Sequence, residues 1–564
     1  MNGTVDDGPV VRAVQVGIES FGWVYPGFPD AGFLWPWLLS GVLLAGLIAL
    51  AGIRILRWGR RFDQAAEPFP TPEWRFPAKV AAVLLPVLVW RTFFEAPSMM
   101  EAPNLYFGEM KWWDVFKLNV SYQHFPLHNL LLKTIATCGG GLHAFRAISV
   151  AAHLMSLLPF FEITRRLFPA RAAKWATVLF AASPMAMYYA GMVESYAIIR
   201  LLVVAVLWLL LVKEERPGTR ITPLVAVMVA GSYTHQYFLI FLVAMLAALL
   251  WKAPSSPHRR YARVIGWVLV LTSPLVIFEL MTLPIVRQWA PSVLANRFHR
   301  PAWQSPWMDS VDDLVSISSF QVGMWTEEVI KPLGFVILGL VVAAGAHATR
   351  HCRIHWIAFS GWILAGLAFA FGVFYHHSFT HWMGGWYPLY RHNTILTPFV
   401  ALAFGHLLHW AWSRPLPGKV ATVLLAIVSA MQLASAGRSL VVHAHADVGP
   451  AWDLVRARIQ DGDALANTPW VFPTLATIRP DSVPLGGNFW NNRWFFSPEK
   501  GWVLSIFNPV DVRPELMGNV LAVRRVWDFR TAYKTLGLVS DTGDFGSENL
   551  DRKFSEWKVI EHHS

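Results

Sequence analysis

Apolar stretches long enough to cross a lipid bilayer recur along most of this 564-residue chain. A membrane-spanning helix needs about 20 apolar residues, and about twelve segments meet or approach that length. The clearest of them are Phe33–Leu56, Ala78–Phe94, Ala144–Ile163, Ala176–Met192, Ala197–Val212 and Val420–Leu440. Hydrophobic residues make up 55% of the chain and charged residues only 15%, which excludes an ordinary soluble multidomain protein. The sequence therefore predicts a polytopic α-helical membrane protein.

The placement of the basic residues predicts how the chain crosses the membrane. The formal net charge is +11, but lysine and arginine concentrate in alternate loops. Examples are the loops containing Arg57–Arg61, Arg165–Lys174, Lys213–Arg220, Lys252–Arg263 and Arg414–Lys419. By the positive-inside rule these loops are cytoplasmic, so the charge reports topology rather than a nucleic-acid partner. The alternation predicts that both termini lie outside the cytoplasm.

Composition divides the chain into three predicted parts. Residues 1–77 form a polar tail, an extra membrane helix and a proline-rich cytoplasmic linker, and residues 78–440 form the transmembrane core. Residues 443–564 form a small water-soluble α/β domain outside the cytoplasm. Within that domain the pattern predicts an amphipathic helix at Ala451–Gln460 and buried strands at Trp502–Phe507 and Val520–Val526.

Polar residues of complementary chemistry are predicted to converge on the outer membrane face. They stand at predicted helix ends and comprise Glu95, Glu101, His124, Tyr188, Tyr189, Glu194, Tyr196, Tyr390, Arg391 and His392. A carboxylate shielded from water is suited to act as a general base, and an arginine fork suits a phosphate. The alternative is ordinary interface chemistry, with solvated carboxylates at helix ends and arginine reaching the lipid headgroups.

A histidine cluster raises the question of a metal. His377 and His381 are four residues apart, with His376 beside them, so the pair would share a helix face. No cysteine and no third ligand at a diagnostic spacing accompanies them, and nearby Trp382 and Trp386 favour an aromatic interface loop. The sequence therefore predicts no metal and no cofactor.

Several motifs occur in an order that resembles a known enzyme class. They are MMEAPNLY, HFPLHNLLL, the long run from FRAISV through SPMAMYYAGMVESYAI, and SYTHQYFLIFLVA. This order resembles the GT-C membrane glycosyltransferases, in particular the bacterial branch similar to protein O-mannosyltransferases and aminoarabinose transferases. The likeness extends over 78–440. The matching positions are Glu101, His124–Leu127, Arg166–Phe168, Ser183, Pro184, Tyr189, Glu194, Tyr196, His235, Tyr390 and Arg391.

The resemblance implies an enzyme of the bacterial inner membrane. Such an enzyme moves a sugar from a polyprenyl-phosphate donor to a glycan, lipid or protein acceptor on the periplasmic side, by direct displacement with inversion. Glu101 or Glu95 would be the base, with Glu101 favoured because it matches the family's acidic pair, and Tyr189, Glu194, Tyr196 and His235 would line the pocket. The donor phosphate would be bound by Arg391, His124, His392 and Tyr390.

One departure from the family pattern leaves the activity open. The aspartate expected as the base falls on Met100 if Glu101 is its glutamate partner, and a thioether accepts no proton. One alternative is a catalytically inactive scaffold subunit with the same fold. A second is a flippase or transporter of lipid-linked sugars, but transporters carry ionisable residues near the midplane and often internal repeats. Here the charged residues gather at one face, which favours the enzyme.

Overall fold

The structure is a computed structural model that describes residues 53, 71–94, 101, 104, 112, 126–216, 220–252, 258–273, 308, 310, 311, 314, 315, 318, 327–351, 355–383 and 392–441, and five strands beyond them. In the strands, and at residues 252, 327–331, 351, 355, 374–383, 392 and 436–441, only the backbone is described. Apart from residue 53, the predicted span Phe33–Leu56 lies outside these ranges. The side chains of His376, His377 and His381 do so as well.

Helices make up most of the described chain. In order they are α1 Arg75–Phe94, α2 Pro126–Thr137, α3 Leu142–Leu167, α4 Ala170–Ala181, α5 Pro184–Ala190, α6 Tyr196–Glu215, α7 Thr222–Thr234, α8 Gln236–Lys252, α9 Glu327–His351, α10 His355–Met383, a 3-10 helix His392–Leu396, α11 Thr397–Trp412 and α12 Pro415–Val441. Residues 258–273 are also helical.

Seven helices in the described ranges are long and apolar enough to cross a membrane: Arg75–Phe94, Leu142–Leu167, Tyr196–Glu215, Pro332–Arg350, Trp356–Val373, Asn393–Trp412 and Pro415–Ser435. The predicted multi-pass helical architecture is therefore confirmed. The count of about twelve spans remains a prediction.

The prediction of one helix over Ala176–Met192 is wrong. The chain forms α4 up to Ala181, breaks at Ala182 and Ser183, and restarts as α5 at Pro184. Proline has no backbone N–H and clashes with the preceding turn, so it interrupts a helix but fits the first position of a new one. The break leaves the Ala181 carbonyl to accept a hydrogen bond from the His153 side chain.

Helices α3 and α6 pack against each other at the centre of the bundle and run in the same direction. Near their first turns, the Ser149 hydroxyl donates to the Glu194 carbonyl over 3.3 Å. At their last turns, Arg166 pairs with Glu215 over 3.0 Å. We refer to the end with the first turns of α3 and α6 as the polar end, and to the end with Arg166 and Glu215 as the basic end.

The C-terminal strands form one mixed sheet. They are β1 Ala464–Asn467, β2 Val483–Leu485, β3 Arg493–Ser497, β4 Gly501–Ile506 and β5 Val526–Phe529, in the order β2-β3-β4-β1-β5. Strand β1 is parallel to β4 and β5, whereas β2, β3 and β4 are antiparallel. The predicted strand Trp502–Phe507 overlaps β4, and of the predicted strand Val520–Val526 only Val526 lies in the described part, where it begins β5. The predicted helix Ala451–Gln460 lies outside the described residues, so the α/β domain stays a prediction.

Candidate functional site

A buried ion pair joins Glu101 to Arg146 at the polar end. The Nε and Nη2 atoms of Arg146 donate to Oε1 and Oε2 of Glu101 over 2.8 and 2.7 Å. The two side chains are 0% and 1% exposed. The contact is thus a two-pronged pair of charge-assisted hydrogen bonds, the strongest geometry available to these groups. Removing only one partner would leave a buried charge uncompensated.

The same ion pair connects three separate segments of the chain. The Val193 amide, in the turn before α6, donates to Glu101 over 2.8 Å. Arg146 Nη1 donates to the carbonyls of Arg91 and Thr92, in the last turn of α1, over 3.4 and 3.3 Å. These carbonyls need side-chain donors because the last carbonyls of a helix lack partners within it. The pair therefore fixes the exit of α1 and the entry of α6 to the first turn of α3.

This geometry bears on the two carboxylates predicted as the base. Both oxygens of Glu101 accept hydrogen bonds from Arg146, and Oε1 also accepts the Val193 amide, so this carboxylate is engaged in contacts that hold the surrounding segments together. Catalysis by Glu101 stays a prediction, and its contacts favour a role in positioning the surrounding segments. Glu95 lies outside the described residues and also stays a candidate.

Five aromatic rings form a continuous line beside this ion pair, which we name the aromatic row. The row contains Tyr188, Tyr189, Tyr196, His235 and Tyr237, with successive ring centroids 5.0, 4.7, 5.7 and 5.7 Å apart. Such separations are typical of favourable edge-to-face and tilted aromatic pairs. The structure thus brings together three of the four predicted pocket residues. The fourth, Glu194, is half-buried in the turn before α6.

His235 occupies its place in the row because it connects α7 to α8. Its backbone is extended, and its Nδ1 accepts the Tyr237 amide over 3.1 Å, which caps the start of α8. Gly231, one turn earlier, lies against the Phe238 ring so closely that a Cβ atom there would overlap it. The cap occupies Nδ1, so a ligand that approaches this ring from the site would meet Nε2.

Two buried arginines, Arg91 and Arg200, lie near the aromatic row. Arg91 donates to the Met187 carbonyl over 3.2 Å, and its guanidinium carbon lies 5.2 Å from the centroid of the Tyr188 ring, within cation–π range. Arg200, in the second turn of α6, donates through Nη2 to the Ala186 carbonyl over 2.9 Å. A buried histidine, His153, places Nδ1 3.5 Å from the same nitrogen.

The residues predicted to bind the donor phosphate fall outside this description. His124, Tyr390 and Arg391 are not among the described residues, and only the backbone of His392 is described, at the start of the 3-10 helix. That short helix packs against α6 and α11. Across the described ranges, no group of three or more metal-ligating side chains is present.

Sequence reasoning missed the three arginines of the site, Arg91, Arg146 and Arg200. A signal for Arg200 was present, because it is the only charged residue between Tyr196 and Val212 and a charge inside an apolar span is rare and usually functional. Arg91 and Arg146 stand near helix ends, where arginine ordinarily reaches the lipid headgroups. Their burial depends on pairing with distant segments, which spacing along one helix does not reveal.

Comparison with known proteins gives one match on the sequence. The family model described as dolichyl-phosphate-mannose-protein mannosyltransferase matches residues 123–278. The predicted resemblance to GT-C membrane glycosyltransferases is thereby confirmed for this segment. The GT-C-like segment contains Arg146, Arg200 and the whole aromatic row, whereas Glu101 precedes it. No individual curated protein matches the chain.

Two crystal structures of ArnT from Cupriavidus metallidurans are similar to the chain at 16% identity. The apo structure has a TM-score of 0.37 and covers 78% of this chain and 85% of that one. The structure bound to undecaprenyl phosphate has a TM-score of 0.42 and covers 72% of this chain and 84% of that one. At these values the likeness provides no residue-by-residue correspondence.

Proposed function

We propose that the chain is a membrane glycosyltransferase that moves a sugar from a polyprenyl-phosphate donor to an acceptor on the periplasmic side of the inner membrane. The family match over residues 123–278 carries this proposal. It is supported by the polar end, where the matched segment places buried arginines beside a line of tyrosines. Aromatic faces suit a sugar ring, and arginine suits a phosphate.

The proposed reaction is a direct displacement with inversion. The acceptor oxygen attacks the anomeric carbon, the bond from that carbon to the phosphate oxygen breaks, and the electron pair leaves with the polyprenyl phosphate. A carboxylate takes the proton of the acceptor hydroxyl. Arg391, with His124 and His392, stabilises the charge that collects on the leaving phosphate. No cofactor or metal is proposed.

We assign the base to Glu95 and a positioning role to Glu101. The assignment is supported by the buried two-pronged pair with Arg146, which gives Glu101 a structural role. Glu95 follows α1, whose last turn Arg146 fixes through the Arg91 and Thr92 carbonyls. Through that contact Glu101 and Arg146 would set the position from which Glu95 reaches the acceptor.

Release of polyprenyl phosphate from a sugar-loaded donor tests this function. The purified full chain would be assayed in lipid nanodiscs with a panel of polyprenyl-phosphate sugars and a cell-envelope extract that supplies the acceptor, and Glu95→Gln would be compared with Glu95→Asp. Loss of a general base slows turnover by about a hundredfold or more, so we expect Glu95→Gln to do so without weakening donor binding. Equal turnover in Glu95→Gln and the wild type would exclude Glu95 as the base.

A catalytically inactive scaffold subunit is the second candidate, and Met100 is the observation that favours it. A thioether stands at the position where the family resemblance expects an aspartate base. If the chain is such a subunit, the wild type binds lipid-linked sugar without transferring it. Transfer that appears only in Met100→Asp would establish this second function and remove the first.

A further inference from the structure

Arg200 is a fully buried cation for which the described part of the chain provides no acidic partner. Its side chain is 0% exposed. The Nη2 atom donates to the Ala186 carbonyl, but Nε and Nη1 have no protein acceptor within hydrogen-bond distance among the described residues. A buried charge that is not paired is strongly destabilising. An ionisable residue inside a membrane protein is retained chiefly where function requires it.

The neighbouring histidine does not neutralise this charge. His153 Nε2 lies 3.1 Å from the Ala181 carbonyl, the one left by the break between α4 and α5. A carbonyl only accepts, so Nε2 carries a proton, and Nδ1 can then accept from Arg200 Nη2 at 3.5 Å only if the ring is neutral. The contact orients the guanidinium, and no acidic side chain among the described residues compensates its positive charge.

Arg200 lies close to two tyrosines of the aromatic row, Tyr189 and Tyr196. Tyr196 precedes it by four residues on α6, so the two side chains share a helix face. On the facing helix α5, Tyr189 follows Ala186 by one turn, and Ala186 is the residue whose carbonyl Arg200 contacts. The rings of Tyr189 and Tyr196 are 4.7 Å apart. Arg200 therefore lies within about one helical turn of two of the predicted pocket residues.

We propose that Arg200 is an anion-binding residue of this site and that its ligand is the phosphate group of the lipid-linked donor. Arginine donates up to five N–H groups and binds phosphate more strongly than neutral donors do. In the proposed complex the Tyr189 and Tyr196 rings move aside, and Nε and Nη1 donate to phosphate oxygens. The inference rests on the proposed function, because it takes the donor phosphate as the ligand.

Two ligands that differ only in the phosphate test the assignment. Farnesyl phosphate and farnesol have the same apolar chain, and their binding would be measured for the full-length wild type and for Arg200→Met in nanodiscs. We expect the wild type to prefer farnesyl phosphate, and Arg200→Met to weaken that binding by about tenfold or more while farnesol binding is unchanged. The matched control is Arg166→Met at the basic end, which removes one positive charge and should leave both affinities unchanged.

Each alternative outcome is distinct. If the wild type binds the two ligands equally, the proposed donor chemistry fails together with the assignment. If the wild type prefers farnesyl phosphate and Arg200→Met keeps the full preference, the donor chemistry stands and Arg200 is excluded, its N–H groups being hydrated by buried water instead. If Arg200→Met does not fold, Arg200→Gln replaces it, because glutamine keeps amide donors without the charge. A full preference for farnesyl phosphate in Arg200→Gln would also exclude Arg200 as the phosphate-binding residue.

Discussion

At each end of the bundle a buried glutamate helps to hold α1 against α3, and the two glutamates differ in the solvent exposure of their arginine partners. At the polar end, Glu101 follows α1 and pairs one to one with Arg146, and both side chains are sealed from solvent. At the basic end, the buried Glu162 of α3 accepts the Glu73 amide just before α1, over 2.9 Å, and also pairs with Arg165 and Arg166. Those two arginines are 42% and 10% exposed. The same residue types therefore build a contact sealed from solvent at one end and a contact that reaches solvent through Arg165 at the other.

This difference indicates what each contact contributes. Breaking a buried pair leaves a charge in a medium of low dielectric and costs about 3–5 kcal/mol, whereas exposed pairs contribute about 0–1 kcal/mol. The basic end also carries the positive charge that the positive-inside rule predicts for cytoplasmic loops, and that preference does not depend on exact geometry. The polar end has no such general reason for its charges, so a specific role in arranging the site explains them better.

The largest expected effect is the all-or-none labelling of Cys138, which tests whether the polar end lies outside the cytoplasm. Cys138 is exposed at the polar end, just before α3 begins, and the only other cysteine is Cys352. In spheroplasts of a Cys352→Ser strain, a membrane-impermeant maleimide should label the protein from outside. Cys138→Ser is the matched control and should not be labelled. Labelling of Cys138 only after cell lysis would reverse the topology and place the polar end in the cytoplasm.

The next effect in size concerns stability at the polar end. Arg146→Met should lower the free energy of unfolding by about 3–5 kcal/mol, because Glu101 would remain buried without its partner. Thermal unfolding of the detergent-purified chain measures the loss. The double variant Glu101→Met with Arg146→Met removes both charges, so it should recover most of the stability. A double variant no more stable than Arg146→Met would show that the pair is not the source of the effect.

The same double variant separates positioning from catalysis. If Glu101 only positions the exit of α1, sugar transfer by the double variant should stay within about tenfold of the wild type once folding is restored. If Glu101 is the base, turnover should fall by about a hundredfold or more although the fold is recovered. Polyprenyl phosphate release, divided by the folded fraction from size-exclusion chromatography, gives the comparison.

Sequence patterns predicted the membrane architecture because apolar length and loop charge are local properties. The family resemblance also predicted that Tyr189, Tyr196 and His235 line one site, and the structure places their rings in one row. The ion pair was not predictable in the same way, because Glu101 and Arg146 are separated by 45 positions along the chain. Which charges become buried depends on tertiary packing, and no periodicity within one helix encodes it.

The break between α4 and α5 was missed for a different reason, because a local sequence signal for it was present. Apolar length favoured a single span over Ala176–Met192, and Pro184 inside it was a stronger local signal that hydropathy does not weigh. The error matters for the site. The break supplies the Ala181 carbonyl that orients His153, and helix α5 supplies the Ala186 carbonyl that holds Arg200.

The smallest effect should come from the exposed pair at the basic end. Arg165 is 42% exposed and pairs with Glu162 over 2.9 Å at a spacing of three residues on α3. Such a pair contributes about 0.5 kcal/mol or less, and salt weakens it further. Arg165→Ala should therefore change the thermal unfolding midpoint little at low salt and less at high salt, since Arg166 keeps Glu162 paired. An Arg165→Ala loss as large as that of Arg146→Met, and independent of salt, would mean that the basic end is as rigidly built as the polar end. The distinction between a buried ion pair that organises the site and an exposed ion pair that reflects only membrane topology would then no longer hold.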